Sequence, residues 1–163
     1  MEIKMTLYLP RDAASVPVTR RVLDRCLETL GVTPDTRADI ALALSEACAN
    51  VVQHAEPGEE YQVQVSARSR QCVIEVVNAG RETGTIQGDR GTGREWLGES
   101  ARAGDPVPAT AEHGRGLRII DAVTDNMQLT SNERHGTTVH FEKTLQWVPG
   151  AAGQHLFNAG SGS

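Results

Sequence analysis

Apolar residues along this chain follow two different periods, and the order in which those periods alternate leaves few folds open. Residues 3 to 9 alternate, with Ile3, Met5, Leu7 and Leu9 on one side, the pattern of a half-buried strand that Pro10 ends. From Ser15 to Leu30 the spacing turns helical. Val22, Leu23, Cys26, Leu27 and Leu30 share a side, Pro17 suits an early helical position, and Gly31 stops the run. Thr33-Pro34-Asp35 caps and opens a second helix, expected to reach His54 or Ala55 before Pro57-Gly58 breaks the chain. Tyr61, Val63, Val65 and Ala67 alternate again. Cys72 to Val77 make a more continuously apolar strand, and the short polar link Ser69-Arg70-Gln71 fits a hairpin between the two.

Past a long interruption, a helix from His113 to Ala122 or Val123 precedes two strands, near Asn126 to Thr130 and Thr137 to Leu145. The order is β-α-α-β-β, an insertion, then α-β-β. Hairpins with segregated helices predict an α+β fold: a two-layer α/β sandwich whose single mixed, mostly antiparallel sheet carries helices on one face.

At 163 residues the chain has the length of one domain and can bury a substantial core without cross-links. A net charge of −5 argues against nucleic acid as the main partner. The basic residues are scattered, with no block that reads as a membrane patch. Cys26, Cys48 and Cys72 follow no metal or redox spacing; Cys26 and Cys48, set among apolar residues, read as buried inert thiols. MEIKMTLYLP lacks the apolar core of a signal peptide, and no stretch nears the roughly 18 apolar residues of a membrane span, so a cytoplasmic location is expected.

Residues 80–112 hold seven of the sixteen glycines and few periodic apolar positions. Such a loop is either a functional lid or an idle insertion. From Pro149 the chain loses its core pattern. The expected division is a domain over 1–147 and a disordered tail over 148–163.

Four places can carry chemistry. On the second helix Ile40, Leu44, Ala47 and Val51 point one way, while Glu46 and Asn50, four residues apart, share another flank. A carboxylate and an amide one turn apart can hold a divalent cation with its waters, and the carboxylate can act as a base; a solvated helix face has the same appearance. Asn78, at a strand end before Gly80, can present a hydrogen-bonding edge to a ring or simply belong to a turn. His113-Gly114-Arg115-Gly116-Leu117 opens a helix, where glycines admit phosphate oxygens to backbone and Arg115 adds charge, although a glycine-rich helix start needs no ligand. Thr137 and Thr138 begin the last strand, where a hydroxyl can reach a ligand and where threonine is also common. No GxxxxGK[ST] loop is present.

The order of these segments adds a resemblance. ALALSEACANVVQHA (41–55) resembles the N box of the GHKL superfamily of ATPases, VVNAG (76–80) its first glycine box and HGRGLRIIDAVTD (113–125) its second, while HGTTVHFEK (135–143) is similar to the closing strand of that fold. The resemblance spans residues 1 to 147, and SEACANVVQHA and GRGLRII look most like the bacterial anti-sigma factor serine-protein kinases. It implies a Bergerat-type ATP-binding fold that uses ATP and Mg2+. By position it makes Glu46 the general base and Asn50 the magnesium ligand. Gly114, Arg115 and Gly116 would contact phosphates, with Gly80 and Leu117 in the nucleotide-binding set and residues 81–112 as the lid. Asn78 and Thr138, or its neighbour Thr137, would lie at the adenine, and His54 would line the pocket beside the ribose. The superfamily's first box usually reads Asp-x-Gly-x-Gly; here Asn78 replaces the aspartate and Glu82 the second glycine.

The resemblance further implies an anti-sigma factor and serine/threonine-protein kinase that phosphorylates an anti-anti-sigma protein and sequesters a sigma factor. Such proteins often work as homodimers, and Arg20 or Arg21 would face the partner. Two alternatives stay open: a nucleotide-dependent binding module without turnover, and a detached histidine kinase catalytic domain.

Overall fold

The computed structural model describes residues 1–53, 59–78, 111–132 and 136–158. In chain order the elements are β1 (Glu2–Pro10), α1 (Ser15–Leu30), α2 (Pro34–Val52), β2 (Glu60–Arg68), β3 (Gln71–Asn78), α3 (Ala111–Val123), β4 (Asn126–Asn132), β5 (Gly136–Thr144) and α4 (Ala152–Asn158). The strands form one sheet in the order β1-β2-β3-β5-β4. This is the expected α+β sandwich, with a correction to the sheet. Each of its four pairings is antiparallel, so it is not mixed. Two helices, not one, connect β1 to β2, and the pair returns the chain to the end it left. β3 and β4 do run in the same direction across α3, but β5 inserts between them and pairs with both.

Alternation along the strands divides the sheet into two faces. Tyr61, Val63, Val65 and Ala67 of β2, Cys72, Ile74 and Val76 of β3, and Val139 and Phe141 of β5 are buried on one face. The helices cover it with Leu23 and Leu27 from α1, Ile40, Leu44, Ala47, Cys48 and Val51 from α2, and Leu117 and Ile120 from α3. Cys48 and Cys72 are buried thiols, and burial pushes both up to about 12, which keeps them protonated and inert. Cys26 departs from the expectation: it is exposed, because the buried stripe of α1 runs through Thr19, Leu23 and Leu27 and leaves its neighbour outside.

The tail also departs from expectation. α1 ends at Gly31, whose φ of 84° closes the helix with bonds from Gly31 N to Glu28 O and from Val32 N to Leu27 O. Onto this corner the chain returns after β5: Thr33 N donates to Gln146 O and Val148 N to Gly31 O. Trp147 stacks on Phe157 of α4 at 5.6 Å, and Phe157 is buried. A Cβ on Gly31 would come within 2.5 Å of Ala151, so the glycine serves both the turn and the contact. Residues through Asn158 are therefore part of the packed domain. Isolated apolar residues at 147, 151 and 157 carry no period, which hid them from the sequence reading. No helix among the described residues is long and apolar enough to cross a membrane.

The second face of the sheet is polar. There His140 Nδ1 lies 3.0 Å from Glu75 Oε1 and its Nε2 lies 3.1 Å from Glu142 Oε1. Both ring nitrogens can donate to carboxylates only in the imidazolium form. The hydrogen bond to Glu75 accordingly raises the His140 pKa above its usual 6.5, burial opposes it, and Glu142 adds to it. A group whose pKa is raised on folding stabilises fully below its unfolded value and loses that contribution as pH rises through the folded value. Chemical denaturation should therefore show wild type exceeding His140→Gln in stability near pH 5.5, with the gap closing as pH rises above 6.5; a gap independent of pH would show that His140 is neutral in the fold.

Candidate functional site

α2 lies over β3 and β5 and packs between α1 and α3. A helix enclosed on several sides needs a wide buried stripe, here Thr36, Ile40, Ala43, Leu44, Ala47, Cys48 and Val51. Ala43 and Ala47 are wholly buried, and such small side chains permit close helix approach. Glu46 and Asn50 remain on the flank towards α3, each partly buried.

Gly116 of α3 sits against them. A Cβ built at Gly116 would stand 3.0 Å from Glu46 Oε2, 3.3 Å from Asn50 Oδ1 and 3.6 Å from Asn50 Nδ2. Three residues from two distant segments thus meet, and the missing side chain leaves the carboxylate and amide uncrowded. α3 begins at Ala111, two residues earlier than expected. The first four N–H groups of a helix have no partner within it. Gly114, the fourth residue of α3, lies in the first turn at the positive end of the helix dipole. Gly116 lies in the second turn and contributes clearance. Arg115 is exposed, whereas Leu117 is buried and its side chain belongs to the core.

Asn78 ends β3 opposite Thr137, and Val77 stands opposite Thr138. Asn78 and Thr137 continue the face of Val76 and Val139, towards the helices. Thr138 shares the other face with His140. The structure therefore brings Thr137, and not Thr138, beside Asn78; counting back by twos from Phe141 and Val139 is the signal that selects it. Asn78 Oδ1 is buried and has no hydrogen-bond partner among the described residues. Leaving a buried acceptor unpaired costs about 1–3 kcal/mol, which a ligand N–H would offset. His54, Gly80 and residues 81–110 of the expected lid lie outside the described residues, while Ala111 and Glu112 open α3.

The donor set suits one kind of metal. Among the described residues no group of three or more His, Cys, Asp or Glu could hold an ion. A cation here would rest on the Asn50 oxygen, waters and ligand oxygens, the coordination that magnesium accepts.

These features coincide with a known domain: residues 9–143 match the histidine kinase-like ATPase domain. The chain belongs to this family. The serine-protein kinases RsbW of Bacillus cereus and Bacillus anthracis are each 26% identical to it over 148 residues, spanning 88% of this chain and 86% of the relative. Among solved structures, the RsbU and RsbW domains of a Mycobacterium tuberculosis protein superpose with a TM-score of 0.60 at 17% identity. That match covers 88% of this chain and 32% of the longer one, and it speaks for the fold.

The Gly116 contact makes a direct prediction for this ATPase domain. Gly116→Ala should keep or raise the melting temperature, since alanine favours helix by about 1 kcal/mol. It should weaken binding of magnesium ATP by roughly tenfold, because the methyl enters the space of Glu46 and Asn50. Calorimetric titration beside thermal denaturation separates the two effects; unchanged affinity would place the nucleotide away from Gly116.

Proposed function

We propose that this domain binds ATP with Mg2+ and transfers the γ-phosphoryl group to a serine or threonine of a partner protein, acting as an anti-sigma factor kinase. The observation that carries the reading is Gly116 seated against Glu46 and Asn50. The residues that this reading takes as general base, cation ligand and phosphate-facing helix then lie in one place. The names of the relatives, serine-protein kinases matching over 88% of this chain, support the same reaction class.

In this reading the Glu46 carboxylate accepts the proton of the substrate hydroxyl. The hydroxyl oxygen then bonds to the γ-phosphorus as the bond to the β–γ bridging oxygen breaks, and ADP departs with that electron pair. Asn50 Oδ1 holds magnesium, which when bound neutralises charge on the phosphates. The N–H groups opening α3 and the Arg115 guanidinium receive the phosphate oxygens. The buried Asn78 Oδ1 accepts the adenine amino hydrogen, with Thr137 beside it.

The partners belong to the same proposal: a sigma factor, an anti-anti-sigma protein bearing the target hydroxyl, and a second copy of this chain. α1 offers exposed Arg20 and Arg21 with exposed Val18 and Val22, and Leu42 of α2 is exposed as well. This combination suits a partner with acidic and apolar groups. Asn78 also motivates a second reading, a module that binds nucleotide to set its shape without turnover.

Labelled ATP, magnesium and a candidate anti-anti-sigma protein distinguish the two. Transfer to a serine or threonine supports the kinase, and its absence despite demonstrated substrate binding leaves the module. Glu46→Ala should lower transfer by about 10²–10⁴-fold, the range of general base catalysis, with ATP affinity nearly unchanged; lost ATP binding would mean that Glu46 serves binding and not proton transfer. Asn78→Asp should tighten ATP binding by about fivefold, since a charged acceptor adds roughly 1 kcal/mol. No change would show that Asn78 does not meet the base.

A further inference from the structure

A second contact between α2 and α3 lies away from the site. Lys143, on the helix side of β5, donates from Nζ to Asp39 Oδ2 at 2.8 Å and to the carbonyl of Val123 at 2.7 Å. Asp39 belongs to the first half of α2, and Val123 is the last residue of α3. The Lys143 side chain is 18% exposed, so the ammonium works in a partly desolvated place at the negative end of α3. The following joint is fixed as well. Thr124 Oγ1 donates to Ile120 O, Asp125 N to Glu142 O, and Thr144 N to Asp125 Oδ2.

The spacing gives this contact a consequence. Asp39 precedes Glu46 by seven residues, and Gly116 precedes Val123 by seven. Seven residues are close to two helical turns, about 10 Å along an axis. Asp39 and Glu46 therefore lie on one flank of α2, and Gly116 and Val123 on one flank of α3. Asp39 meets the C-terminus of α3 through Lys143, and about two turns away Glu46 meets Gly116. The two helices run antiparallel with one fastening at each end of a two-turn span. Gly116 has no side chain to interlock with α2, so the contact at the site end cannot by itself fix how far α3 slides along its neighbour. The Lys143 contact can, because its three donors reach a carboxylate on one helix and a terminal carbonyl on the other.

We propose that Lys143 is a positioning residue for phosphoryl transfer: bound to Asp39 and to the end of α3, it sets the axial register that aligns the α3 N-terminus with Glu46 and Asn50. The inference rests on the kinase reading for its catalytic consequence, and on the two fastenings alone for its structural one. Displacements near 1 Å in a reacting constellation can cost about 10²-fold in rate. A sliding α3 would disturb the alignment in turnover more than the retention of nucleotide.

The test compares wild type with Lys143→Met, Lys143→Arg and Asp39→Asn. Asp39→Asn sits on a partly exposed helix position and guards against a variant that fails to fold. Two readouts are taken: kcat and KM for phosphoryl transfer, and backbone hydrogen exchange in the nucleotide-free protein. Lys143→Met should lower kcat about tenfold or more with KM for ATP changed less than threefold. It should also speed exchange across residues 114–118, about two turns along α3 from the Val123 contact. Asp39→Asn should move both readouts the same way by less, and Lys143→Arg should restore part of each. If either kcat or exchange at 114–118 is unchanged in Lys143→Met and in Asp39→Asn, the proposal is overturned, even where the melting temperature falls. Should wild type transfer no phosphate, the kinase reading fails, and the exchange comparison decides the register on its own.

Discussion

The packing of α3 against the flank of α2 is the contact on which the organisation of this domain turns. α2 is fixed by what lies beneath it: Ile40, Leu44, Ala47, Cys48 and Val51 are buried over the centre of the sheet. α3 has a narrower hold, chiefly Leu117 and Ile120. Its position relative to α2 is set by where these two side chains seat, by the absence of a Cβ at Gly116 and by the Lys143 ammonium at its far end. Close approach and polarity are combined here. A larger residue at 116 would crowd Glu46 and Asn50, whereas a slack joint would leave their distance from α3 undefined.

The antiparallel sheet explains why the site lies where it does. Because β5 inserts between β3 and β4, the end of β3 and the beginning of β5 face each other, and Asn78 pairs with Thr137. That pair opens on the same layer as α2 and α3. The opposite face of the sheet holds His140 between two carboxylates, a polar arrangement suited to solvent. Stability that depends on pH and the chemistry of the site are thus assigned to different faces, and residues alternate between them along single strands. Thr137 and Thr138, adjacent in sequence, fall on opposite sides of this division.

Periodicity made most of the fold legible before any coordinates: the alternating strands, the cap and proline of α2, and the helical stripe of α1 all lie where their patterns place them. What stayed hidden has physical reasons. Cys26 borders the buried stripe, and a pattern defined by i and i+4 spacing does not resolve its edge. Phe157 and Trp147 stabilise one another across a turn, a contact between isolated residues that no local period announces. The site was legible in part. Glu46 and Asn50 could be put on one flank, but a flank facing α3 and a flank facing water look alike in sequence. Lys143 gave no signal, because its partners are a carboxylate 104 residues away and a backbone carbonyl.

Asn78 is where the proposed ATP chemistry is most exposed to physical argument. Its carbonyl oxygen is buried and has no hydrogen-bond partner among the described residues, a cost that a ligand N–H would offset. An unpaired acceptor calls for a donor, and the amino group of adenine is one; the carbonyl that guanine presents in its stead is not. An amide would do this without charge, so the bond would be weaker than one to a carboxylate. Neutrality also has a favourable side. A buried carboxylate costs far more than an amide when no ligand is bound. Under the proposed function, a neutral reader at the base end would move the burden of affinity to the phosphate end, where Glu46, Asn50 and α3 meet. In that reading the register of α3 on α2 sets how well bound ATP would be aligned with Glu46 more than how tightly it would be held.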